Sequence, residues 1–153
     1  MRNGLQAMML GSALLLCAVP LSAQAQTNSP AKVTPGMSWV NEFGAVLKVS
    51  AVGSDGLLSG TYTTNVGCGA GQAQPMTGWY YPGEAGGAIT FSVSWAGCDS
   101  VTAWTGQFDN ATSRFQALWY LSLASAPTWN GIVAGSNYFV PQRAPEKNGK
   151  KKK

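Results

Sequence analysis

Six tryptophans, Trp39, Trp79, Trp95, Trp104, Trp119 and Trp129, stand in a chain with no histidine and only 10% charged residues. Most adjoin alternating runs of Thr, Ser, Gly and Val. A small β protein needs few large aromatics to fill its own core, and indole buries flat apolar ligand surface well. The surplus points to an interior cavity that holds something. Catalysis fits less well. Without histidine, general acid–base chemistry falls to a few carboxylates, and these lie mostly in turn-like segments where no close pair can be read. The expectation is a binding module with no catalytic residue, no cofactor and no metal site.

The residues that could bind must be held by the mature chain, so the first 25 residues are set aside as an export signal. Arg2 supplies the positive start, Ala7 to Val19 the apolar run, and Ala23-Gln24-Ala25 the small-x-small cleavage pattern before Gln26. The run is short for a bilayer span and is followed by polar sequence, which weakens the anchor reading. Leu16 just before Cys17 argues against lipid attachment there. Cleavage removes Cys17 and leaves Cys68 and Cys98 in a compartment that permits oxidation, where one disulfide is the economical inference. Two thiols without histidine cannot complete a zinc set. A bridge closing that loop stabilises by roughly 3–4 kcal/mol on the chain-entropy view.

The net charge of +4 belongs to the end of the chain. Arg143, Lys147 and Lys150 to Lys153 supply six of the ten basic residues. Between Gln26 and Gln142 stand Lys32, Lys48 and Arg114 against Glu42, Asp55, Glu84, Asp99 and Asp109. The folded part is therefore slightly acidic, with no basic surface for nucleic acid, and residues 142–153 read as a basic, disordered, solvated tail. No membrane or nucleic-acid partner is expected.

What remains is one domain. Residues 26–36, with Pro30 and Pro35, form an irregular lead-in, and residues 37–141 carry the two-residue period of strands. Strands are expected at Ser38 to Glu42, Ala45 to Val52, Leu57 to Asn65, Ala73 to Tyr81, Ala88 to Trp95, Val101 to Phe108, Arg114 to Leu123 and Gly131 to Val140. Short links rich in Gly, Asn, Asp and Pro join them, as antiparallel neighbours require. Pattern alone allows a sandwich or an up-and-down barrel. Closure removes both exposed edges, and eight strands leave room for one small ligand.

Particular residues narrow this further. Trp39-Val40-Asn41-Glu42-Phe43-Gly44, Leu58-Ser59-Gly60-Thr61-Tyr62 and Phe91-Ser92-Val93-Ser94-Trp95 are followed by Thr102-Ala103-Trp104-Thr105-Gly106-Gln107-Phe108. Leu118-Trp119-Tyr120-Leu121, Trp129 and Asn137-Tyr138-Phe139 complete the series. In this order and spacing the chain resembles the avidin and streptavidin family from about Ser38 to Val140. The resemblance implies an all-β, eight-stranded antiparallel up-and-down barrel that binds biotin at one end. Asn41 and Tyr62 match residues that hydrogen-bond the ureido oxygen. The third such position, a Ser in the family, falls on Ala45, which removes one donor.

Across the ureido ring, Thr64 and the neutral Asn137 match the family's acceptors. Thr102 corresponds to the residue near the thiophane sulfur, and Ser100, with backbone near Gly67 and Cys68, to those at the valeryl carboxylate. Trp95, Trp104, Trp119, Leu121 and Val66 match the apolar walls, while Trp39 reads as a structural plug at the closed end. Cys68 and Cys98 fall on the loops after the third and fifth strands, as in bacterial avidins that bridge them and are often dimeric. Trp129 matches the lid that a neighbouring subunit lends, which favours a homotetramer over the dimer. The implied protein is secreted, extracellular or periplasmic, with biotin as its partner. Two alternatives remain: a barrel of this kind with another ligand, which Ala45 keeps open, and a carbohydrate-binding or adhesion module with exposed indoles.

Overall fold

The computed structural model describes residues 32–142. The expected leader and nearly all of the expected basic tail lie outside them. Eight strands follow one another: β1 (Ser38–Asn41), β2 (Val46–Val52), β3 (Leu57–Thr63), β4 (Ala73–Pro82), β5 (Gly86–Trp95), β6 (Ser100–Asp109), β7 (Arg114–Leu123) and β8 (Ile132–Pro141). Each pairs antiparallel with its sequence neighbours. β1 also pairs with β8, through Trp39 to Pro141, Val40 to Val140 and Asn41 to Phe139. That last ladder closes the sheet on itself, so each of these eight strands has a neighbour on both sides. The fold is the all-β up-and-down barrel expected from the strand pattern and the resemblance.

Alternation decides what lies inside. Ile89, Phe91, Val93 and Trp95 of β5, Thr102, Trp104 and Phe108 of β6, and Phe115 and Ala117 of β7 are buried, while the residues between them face outwards. At one end of the barrel Trp39 is fully buried, with Phe108 and Phe115 edge-on to it at 6.1 and 5.8 Å. Its indole N–H donates to the carbonyl of Ser113 in the β6–β7 turn at 2.7 Å, which pins the ring across the end. Phe115 and Phe139 stack behind it at 4.3 Å. This end is plugged, and space is left only at the other. Of the expected lead-in, residues 32–36 are described; they form no strand, and Val33 is buried against the barrel.

Strand ends move by one or two residues from those expected, for local reasons. β3 stops at Thr63, because the Thr64 hydroxyl bonds both the N–H and the carbonyl of Val66 and turns the chain. Asn65 then reaches back to the carbonyl of Gly44 at 2.9 Å. β5 begins earlier, at Gly86, since Gly86 and Gly87 continue the ladder to Asp109 and Phe108. β4 inverts the usual partition: Gln74 is buried, while Trp79 and Tyr81 are 54% and 78% exposed. The open end gathers the β1–β2 turn and the β3–β4, β5–β6 and β7–β8 loops. Cys68 and Cys98 form a disulfide there, with Cα atoms 5.9 Å apart, joining the β3–β4 loop to the β5–β6 loop.

Candidate functional site

The unplugged half of the barrel encloses a cavity of about 440 Å³, within the range of small-ligand sites. Its floor is aromatic: Tyr62 and Trp104 line it with ring centres 4.8 Å apart and tilted to each other, and Phe91 stacks behind Trp104 at 4.7 Å. Trp95 stands edge-on to Tyr62 at 6.0 Å. Trp119 and Leu121, at inward positions of β7, complete the apolar wall. Trp119 has space because its cross-strand partner is Gly135; a Cβ there would lie 2.5 Å from Cζ2 of the indole.

The polar groups are oriented by what the fold already asks of them. Asn41 ends β1, and its side-chain carbonyl accepts the backbone N–H groups of Phe43 at 3.0 Å and Ala45 at 2.8 Å, which stabilises the β1–β2 turn. The amide NH2 is left to face Tyr62 Oη, at 3.4 Å, and the cavity. Burial, with the nearby Glu42 charge adding to it, pushes the Tyr62 phenol well above its ordinary range, so it remains a hydroxyl donor. Two donors thus point into the cavity from β1 and β3, on either side of β2. Ala45 lies beside them, buried, and contributes only a methyl group.

Two acceptors flank these donors. Thr64 Oγ1 donates to the carbonyl of Val66 and accepts the Val66 N–H, leaving a lone pair free. Asn137, buried on β8, accepts the Trp104 indole N–H on Oδ1 at 3.0 Å and gives its NH2 to Glu42 Oε1 at 3.1 Å. The Oδ1 lone pair that remains is available to the cavity. Donors at the centre with acceptors on either side complement a carbonyl flanked by two N–H groups, which is a planar urea. Nearer the mouth, Thr102 Oγ1 accepts the Trp95 indole N–H at 2.8 Å, so its own hydrogen is free to point elsewhere. A wider surface depression of about 700 Å³ is lined by residues of β5 to β8, among them Gln107, Asp109, Arg114, Gln116 and Tyr138.

Residues 29–142 match the avidin family model. The chain belongs to the avidin family. Among relatives of this avidin, hoefavidin of Hoeflea phototrophica is 36% identical over 124 residues, covering 71% of this chain and 73% of its own. Core-bradavidin has a similar solved structure, with 46% identity, a TM-score of 0.65, and coverage of 69% of this chain and 98% of that one. A shwanavidin variant, solved as a complex with biotin, has 26% identity and a TM-score of 0.65 over 72% of this chain and 98% of its own.

Every cavity residue expected from the avidin resemblance lines this one space: Asn41, Ala45, Tyr62, Thr64 and Val66, then Gly67, Cys68, Trp95, Ser100 and Thr102, and finally Trp104, Trp119, Leu121 and Asn137. Trp129 does not. It lies on the β7–β8 loop, 83% exposed, with φ at +71°. Three further residues line the cavity unforeseen: Phe43, Cys98 and Leu123. Leu123 follows Trp119 and Leu121 at the two-residue period and was open to that reading. Cys98 follows from its bridge to Cys68, whereas Phe43 sits in a turn with no such signal. Glu42, which binds Asn137 from outside the cavity, was not legible either, because 95 residues separate the two.

Proposed function

We propose that this chain is a secreted, non-catalytic biotin-binding protein that holds one biotin per barrel at the open end. The observation that carries this reading is the urea-shaped set of two donors and two acceptors inside an indole-walled cavity. Asn41 Nδ2 and Tyr62 O–H donate to the ureido oxygen, and Thr64 Oγ1 and Asn137 Oδ1 accept the two ureido N–H groups. The free Thr102 hydrogen points to the thioether sulfur, a weak acceptor. Ser100 and the backbone at Gly67 and Cys68 meet the carboxylate at the mouth. Trp95, Trp104, Trp119, Leu121 and Val66 cover the rings and tail, excluding water and strengthening each polar contact.

Copies of the chain associate, in this reading as a tetramer. The outer faces of β6, β7 and β8 expose Val101, Leu118, Tyr120 and Ile132, each more than half accessible, which favours burial against a second barrel. Trp129 then serves as a lid over a neighbour's cavity. Cleavage after Ala25 starts the mature protein at Gln26, and the Cys68–Cys98 bridge suits an oxidising compartment. Titration with biotin tests the ligand: one site per chain supports it, and no binding refutes it. A second reading draws on Trp79 and Tyr81, side by side in alternation on the outer face of β4, as a sugar-stacking platform. Oligosaccharide titrations that leave Trp79 fluorescence unchanged would remove it.

A further inference from the structure

Glu42 lies in the β1–β2 turn beside Tyr138, where the β1–β8 ladder through Asn41 and Phe139 brings the two chain ends together. Its carboxylate takes two donors, the Asn137 NH2 on Oε1 at 3.1 Å and the Tyr138 backbone N–H on Oε2 at 2.9 Å. On the far side of Asn137, the Trp104 indole N–H reaches Oδ1 at 3.0 Å. An indole nitrogen only donates and an ionised carboxylate only accepts, so the amide between them has one satisfied orientation. The two ends of an asparagine amide are nearly equal in size, and packing alone would leave its direction open.

We propose that Glu42 is a positioning and specificity-determining residue: by fixing the polarity of Asn137, it makes the cavity present an acceptor there and so selects ligands that offer an N–H. The identity of that ligand rests on the biotin reading; the polarity does not. Glutamine cannot substitute for Glu42 within this network. If its carbonyl takes the Tyr138 N–H, its NH2 faces Asn137, which must turn its own NH2 against the Trp104 indole. The opposite orientation sets two N–H groups against each other at Tyr138. Moving the carboxylate to position 137 removes the conflict. With E42Q and N137D together, the aspartate accepts from Trp104, from the glutamine NH2 and from the ligand, while the glutamine carbonyl takes the Tyr138 N–H.

The test is biotin displacement titration of the oxidised wild type, E42Q, N137D and the double variant at neutral pH, with solvent exchange of the Trp104 indole proton followed by NMR. E42Q is expected to weaken binding about five- to thirty-fold, because the carboxylate is exposed and water replaces part of its role. N137D alone weakens binding as well, since two carboxylates then face each other. The double variant recovers to within roughly three-fold of wild type and restores slow indole exchange. E42Q binding within about two-fold of wild type, or a double variant no tighter than E42Q, overturns the proposal. If the wild type binds no biotin, the biotin reading fails on its own account. Indole exchange in the ligand-free proteins then decides the polarity: acceleration in E42Q reversed in the double variant sustains it, and any other pattern overturns it.

Discussion

Asn41, Thr64 and Asn137 each spend part of their hydrogen-bonding capacity on the fold and turn the remainder into the cavity. Asn41 is half used by the β1–β2 turn and Thr64 by the turn after β3. Such groups need little reorganisation when a ligand arrives, which is how a few buried hydrogen bonds support tight binding. Ala45 is the gap in the set. Replacing Ala45→Ser adds a hydroxyl donor beside Asn41 and Tyr62 and is expected to tighten biotin binding about five-fold or more in competition titrations; unchanged or weaker binding would mean the ureido oxygen does not lie there. Glu42 carries a pH signature. Burial raises its carboxyl, but hydrogen bonds from its own backbone, from Tyr138 and from Asn137 together outweigh that and hold it below the ordinary 4.5. A depressed folded-state value means that its stabilisation is complete above the unfolded value and drains as pH falls through the folded one. The melting-temperature gap between wild type and Glu42→Gln should therefore hold steady from neutrality to about pH 5 and close below it, whereas a gap constant to roughly pH 3 would contradict the bonding described. At this scale the cavity residues were legible where a short motif surrounds them, as with Asn41 and Trp104. Contacts made by chain closure, such as Glu42 to Asn137, have no local trace.

Loops and strands set how ready the cavity is. The β3–β4 loop contains Gly67, Gly69 and Gly71, all with φ between +71° and +82°, a region few other residues adopt. Such a segment is costly to order, and the bridge to Cys98 limits its freedom before any ligand arrives. Replacing both cysteines by serine is expected to lower the melting temperature by about 10–15 °C, and to weaken biotin binding roughly ten-fold. Equal binding by oxidised and reduced protein would show that the loop plays no part. On β8, Gly135→Ala drives a methyl into Trp119, displacing the indole from the wall, so ligand-free stability and affinity should both fall, read by thermal melting and titration. Strand order and direction were legible because the two-residue period runs through β5, β6 and β7 with Gly, Asn and Asp between strands. β4 was harder, since its buried Gln74 and exposed Trp79 run against ordinary preference and only its register against β3 and β5 fixes which side faces in.

For the whole molecule, closure by the β1–β8 ladder is what turns eight strands into a vessel with one plugged end. The six tryptophans divide accordingly. Trp39 is the plug, Trp95, Trp104 and Trp119 wall the cavity, and Trp79 and Trp129 face outwards. In the proposed assembly, the exposed Trp129 would cover the cavity of a neighbouring barrel. Trp129→Ala should speed biotin dissociation while leaving the melting temperature of the ligand-free protein nearly unchanged, and sedimentation should show an assembly larger than one chain. A monomer whose biotin release is indifferent to Trp129 would contradict the lid. Isothermal titration of the oxidised protein with biotin, with thermal melting alongside, tests the central claim most directly. The urea-shaped cavity predicts one biotin per chain, tight binding and a large rise in melting temperature. No heat and no shift would contradict it and leave a barrel built for another ligand.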